Sequence, residues 1–157
     1  MLNKINYKIA DRELFFIITK FKAMEALDFI LNLINNLPEN ISLPDGTTLQ
    51  KYTIKTLVLM VMDVGDNEEL TELQKDVLNN AAEFDLLSLT FKEAYLNASI
   101  EKRTEIRNQL IKLLKMENGE DLSADLEMFI KTPKEIFNAL VKIVKFNYQD
   151  FFLVTET

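Results

Sequence analysis

Carboxylate, lysine, tyrosine and hydroxyl side chains are all that this chain offers for chemistry, and no spacing singles any of them out. Its 157 residues include 25 Asp and Glu and 18 Lys and Arg, with no histidine, cysteine or tryptophan. A Ser–His relay, a thiolate nucleophile and a Cys/His zinc site are therefore excluded. The densest acidic group, Asp63, Asp66, Glu68 and Glu69, is where a hard cation could be considered. An EF-hand loop needs acids at alternate positions around a central glycine and a closing glutamate, which this spacing lacks. The group reads instead as the solvated start of a helix, where acids complement the partial positive charge. Glu117, Asn118, Gly119, Glu120 and Asp121 read as a helix stop and an acidic loop. Gly46, Gly65 and Gly119 stand too far apart for a phosphate- or dinucleotide-binding loop. Paired catalytic carboxylates need environments that set their pKa values apart, and no spacing marks such a pair. No catalytic, cofactor or metal site is assigned.

Charge is unevenly placed. Residues 63–93 hold nine acids against Lys75 and Lys92, and residues 117–127 hold five acids and no base. These two stretches account for the acidity of a chain whose net charge is −7. Such surfaces repel phosphate backbones, so direct nucleic-acid binding would need a concentrated basic face. Lys102, Arg103, Arg107, Lys112 and Lys115 are the candidates, but Glu101 and Glu105 lie among them and no aromatic interleaves. They read as a solvated helix face.

The elements follow from periodicity. At 48% hydrophobic residues the chain suffices for one core, and a single domain over 1–157 is expected. No basic-then-apolar leader opens it, and its longest apolar run, residues 57–62, is far below the ~20 residues that span a bilayer. A soluble protein with no membrane partner is expected. Within residues 1–20, Ile5, Tyr7 and Ile9 alternate with polar residues, and 14–19 are β-branched and aromatic. Together they predict a β-hairpin, with Asp11, Arg12 and Glu13 at the turn.

Residues 21–147 predict a mainly α bundle of about five to seven helices. Ala23, Ala26, Leu27, Ile30, Leu33, Ile34 and Leu37 form an apolar stripe ended by Pro38. Leu43, Pro44, Asp45 and Gly46 predict a turn. Thr47 and Gln50 have capping-box spacing before a helix toward Met62, although 54–64 would also suit a buried strand. Asp66 and Glu69 give a second capping signature, and Phe84, Leu87, Phe91, Ala94 and Ala98 continue at helical spacing. Ser99 caps a helix carrying Ile106, Leu110, Leu113 and Leu114, with Lys112 and Lys115 in its last turn and Gly119 as its stop. Ser123 opens a short helix. Thr132, Pro133 and Glu135 mark a further start, with Ile136, Phe137, Leu140, Val141 and Val144 as the buried stripe.

Residues 148–157 are expected to form an aromatic tail. Phe146, Tyr148, Phe151 and Phe152 crowd a chain end, where they either cover the bundle or offer an apolar patch to a partner.

The segment from Thr132 to Phe152, with its Phe146-Asn147-Tyr148 and Phe151-Phe152 groups, resembles the C-terminal end of tail assembly chaperones of long-tailed bacteriophages. The β-rich start, the acidic helices and the entry Phe21-Lys22-Ala23-Met24-Glu25-Ala26-Leu27 are also similar. The resemblance covers about thirty residues, without the Gly or Asp-Pro punctuation usual there. It implies a non-catalytic protein in the cytoplasm of the bacterial host. Such a protein coats the helical tape-measure protein and helps to recruit tail-tube subunits. Phe146, Tyr148, Phe151, Phe152, Met60 and Met62 would then bind the partner, and homo-oligomers are compatible with that role.

Two other readings follow from the residues. A small acidic inhibitor of a host defence complex would mimic nucleic acid through Glu68, Glu69, Glu72, Asp76, Glu83 and Asp85. An enzyme restricted to carboxylates and lysine would need a buried acidic pocket.

Overall fold

The computed structural model describes residues 3–9, 12–43, 46–62, 64, 72, 75, 85–116 and 132–152. The chain is mainly α with a short N-terminal pair of antiparallel strands. Strands β1 (Asn3–Ile9) and β2 (Arg12–Ile18) pair in the register Asn3↔Ile18 to Ile9↔Arg12. Arg12 and Glu13, expected in the turn, are therefore strand residues.

Five helices follow among the described residues: α1 (Ala23–Asn35), α2 (Lys51–Val61), α3 (Leu86–Asn97), α4 (Ile100–Ile111) and α5 (Pro133–Phe152). Strands β3 (Asn40–Ser42) and β4 (Thr48–Gln50) form a two-stranded sheet, and β5 (Leu114–Met116) pairs antiparallel with β2. The described fold groups into two compact units. Unit 1 is Met1–Ala26 with Ser99–Asn147, and unit 2 is Leu27–Ala98 with Tyr148–Thr157.

In unit 1 the sheet has the order β1-β2-β5. Phe16 and Ile18 are buried in β2, and Leu114 is buried opposite Ile18. Leu113 O accepts from both Thr19 N (2.7 Å) and Thr19 Oγ1 (3.0 Å), extending the pairing past the ladder. This pairing ends α4 early. Its last residue is Ile111, so Lys115 lies in β5 rather than in a last helical turn, and Gly119, the expected stop, lies outside the described residues. The cap of α4 is as expected, with Ser99 Oγ accepting from Lys102 N at 3.2 Å.

Thr132 likewise caps α5, its Oγ1 accepting from Glu135 N at 3.2 Å. The reciprocal half of that box is not made, because Glu135 Oε2 has no hydrogen-bond partner among the described residues. The α5 stripe is also shifted. Ala139, Leu140, Ile143, Val144 and Tyr148 are buried, whereas Ile136, Phe137 and Val141 are half-buried.

In unit 2, Ile41 and Leu49 are buried while their strand neighbours are exposed, the alternation of a sheet with one covered face. That pairing overrides the expected cap: Thr48 to Gln50 is strand, and α2 begins at Lys51 without a side-chain cap at Gln50. Residues 54–61 are helical, and Ile54, Leu57 and Val58 are buried. The turn before β4 closes with Gly46 N donating to Leu43 O at 2.9 Å, and Gly46 takes the positive φ of 90°. Helix α3 starts from Asp85, whose carboxylate accepts from Ser88 N, and it buries Leu87, Phe91 and Ala94 at the expected spacing. The expected cap at Asp66, Phe84 of the stripe and the helix at Ser123 lie outside the described residues.

Candidate partner-binding surface

Five of the six residues assigned to partner contact fall on two helices, and Met62 caps the end of one of them. Helix α5 runs through Phe152, so positions 148–152 are the last turn of a 20-residue helix and not a separate tail. Phe146 is half-buried, and Tyr148 is fully buried. The Tyr148 ring stacks on Phe29 of α1, with centroids 6.3 Å apart and planes at 18°. Burial removes water from its phenol and pushes that group above its ordinary pKa of 10.0. Tyr148 is thus a packing residue of unit 2, and a partner does not meet it on the surface. The side chains of Phe151 and Phe152 lie outside what is described. Met60 closes toward the end of α2, Met62 follows its last turn, and both are half-buried.

Asn147 has a different task. It is 8% exposed, and its side chain makes three hydrogen bonds. Oδ1 accepts from Phe21 N at 2.9 Å, while Nδ2 donates to Ile143 O at 3.0 Å and to Thr19 O at 3.5 Å. The amide thereby satisfies the backbone of the connection between β2 and α1, which has left the sheet and not yet entered the helix. Helix α1 then begins with Lys22 N donating to Glu25 Oε1 at 3.3 Å and Ala26 N donating to Lys22 O at 2.8 Å. Glu25 supplies the returning half of a capping box from the third helical position. Fixing this connection brings Lys20 Nζ over the Phe146 ring, 5.3 Å from its centroid. Sequence reasoning placed Asn147 in a motif but missed its structural role. The available signal was a lone asparagine in the buried row 139, 143, 147.

Of the alternative acidic group, Glu72 is helical, exposed and paired with Lys75 at 3.7 Å. Asp85 is occupied as the cap of α3. Glu68, Glu69, Asp76 and Glu83 lie outside the described residues. No described acidic residue is buried as a whole, although Glu135 Oε2 is shielded from solvent, and no three acidic side chains gather as a metal site among the described residues. No helix among them is long and apolar enough to cross a membrane. No protein-family model, curated protein or solved structure matches the chain.

Proposed function

We propose that this chain is a non-catalytic binding protein of the tail assembly chaperone type. It would hold helical segments of a tape-measure protein in the bacterial cytoplasm and aid tail-tube assembly. The observation that supports this reading most is the continuation of α5 through Phe152. The backbone of Phe151 and Phe152 is therefore helical, at the end of the same helix that buries Tyr148. Aromatic side chains have few rotatable bonds to fix on binding, which favours helix-in-groove contacts. Met60 and Met62 add adaptable, half-buried apolar surface at the end of α2. Co-expression with a tape-measure protein, should a long helical one be encoded beside this chain, tests the reading. The partner is expected to stay soluble and co-purify, and Phe151→Ala with Phe152→Ala is expected to lower recovery about tenfold, or ~1.4 kcal/mol. A wild-type chain that leaves that protein insoluble ends the proposal.

The charge of unit 2 favours a second reading, a nucleic-acid mimic that blocks a host defence complex. Its residues include fourteen acids and four bases, a net −10. Reversal of Glu68, Glu69 and Glu72 to lysine would abolish inhibition of such a complex; unchanged inhibition would remove the mimicry explanation.

A further inference from the structure

Helix α3 lies wholly within unit 2 and has two unlike sides. Leu86, Leu87, Thr90, Phe91 and Ala94 are buried. Leu89, Lys92, Glu93 and Leu96 share the other side, within an arc of about 100° at 100° per residue. Leu96 is 57% exposed, Lys92 is exposed, and Leu89 and Glu93 are half-buried. Two leucines seven residues apart thus bracket one cation and one anion. Consecutive positions on a helix do not face each other, so Lys92 and Glu93 cannot satisfy one another. Among the described residues neither forms an ion pair. The stripe is also palindromic in kind: turned end for end it again reads leucine, charged pair, leucine, with the cation where the anion stood.

We propose that the outer stripe of α3 is the contact face of a homodimer, packed antiparallel on the same stripe of a second copy. Leu89 then meets the partner's Leu96, Lys92 meets the partner's Glu93, and the two-fold axis repeats both contacts. Charge order selects this occupant, since an antiparallel copy supplies an acid for each lysine and a lysine for each acid. Helix α2 is the contrasting case. Its outer positions Tyr52, Lys55, Thr56 and Leu59 hold a cation and no acid, so a copy laid on itself would bring lysine toward lysine. The α3 stripe is neutral in sum, and the acidity of unit 2 acts on it only at range. At 0.1 M salt that repulsion is screened beyond about 10 Å. One helix pair buries less than the ~1,600 Å² of a standard interface, so the dissociation constant is expected at about 1 μM or above. The inference does not rest on a tape-measure partner, whose proposed contacts lie on α5 and at the end of α2.

Sedimentation equilibrium of the full chain in 0.1 M salt, from about 5 μM to about 1 mM, reads the assembly. The mass is expected to rise from one chain toward two and to stop there. K92E and E93K are each expected to weaken the dimer at least about tenfold, because each sets like charges opposite one another twice. K92E with E93K restores both pairs with exchanged signs, and its dissociation constant is expected within about threefold of the wild type. K55E is expected to change nothing. Circular dichroism and the melting temperature verify that each variant is folded, and L96S, at an exposed position, replaces any charge variant that is not. A chain that stays monomeric to about 1 mM overturns the dimer and leaves the stripe to a different polypeptide or to water. Growth beyond two chains overturns the two-fold closure. Weakening by K55E overturns the pairing of α3 with itself in favour of α2 on α3. A dimer indifferent to K92E, E93K and L96S, or one that the double exchange does not recover, overturns the assignment of this stripe.

Discussion

The two ends of α1 are held by side chains from distant parts of the chain, but in different ways. At its start, in unit 1, the Asn147 amide reaches the connection from 126 and 128 residues away and is almost wholly buried. At its end, in unit 2, Lys51 Nζ donates to Asn35 O at 2.7 Å and Asn97 Nδ2 to Asn36 O at 2.9 Å, both in exposed positions. Both arrangements satisfy backbone groups that regular structure leaves open. Their energetic weights differ because water can replace an exposed donor and cannot readily replace a buried one. Unit 2 therefore holds its portion of α1 chiefly by packing, with Phe29 stacked on Tyr148, and uses the exposed bonds as a finish. Unit 1 leans on one polar side chain.

Breaking the packed side should have the largest effect. Tyr148→Ala removes a fully buried ring and is expected to cost about 3–5 kcal/mol, read from urea unfolding. A loss below 1 kcal/mol would show that Phe29 does not depend on that stack. Asn147→Ala comes next, at about 2 kcal/mol, because Phe21 N loses its acceptor in a part-buried place. Amide hydrogen exchange at Phe21 should accelerate in this variant while residues 51–61 stay protected. Equal acceleration in both places would erase the distinction drawn between the units.

Alkaline titration sharpens the same contrast. The Tyr148 phenol has a folded pKa above its unfolded value of 10.0, so its stabilising effect is complete below pH 10.0. As pH rises past that value the unfolded phenol ionises first, and stability falls by about 1.4 kcal/mol per pH unit until the folded phenol also ionises. Tyr148→Phe is expected to remove that slope from the urea midpoints; an unchanged slope would assign the alkaline loss elsewhere. Lys51→Met should have the smallest effect, about 0.5 kcal/mol and diminishing with salt, since an exposed cation at a helix end contributes little.

Local signals carried far in this sequence. The alternation around Ile5 to Ile9 and the Ser99 and Thr132 caps correspond to the observed hairpin and helix starts. Ile30, Leu33, Ile34 and Leu37 are buried as their spacing requires. What escaped depends on remote partners. Strands β3, β4 and β5 have three residues each, too few for a period of two to stand out, and Thr47 with Gln50 imitates a helix cap inside such a sheet. The contact of Lys20 with the Phe146 ring escaped for a similar reason: it forms only because Asn147 anchors a connection far away in sequence. Phe146 and Tyr148 look alike in sequence, yet one is half-buried and the other fully enclosed.

Because Asn147 and Tyr148 are adjacent, the rotational phase of α5 serves two purposes at once. One codon inserted between Lys145 and Phe146 would turn everything beyond it by about 100° and advance it by about 1.5 Å. The amide would leave Thr19 and Phe21 in the same event that carries the phenol ring off Phe29. This stretch should consequently tolerate many missense changes better than any in-frame insertion or deletion.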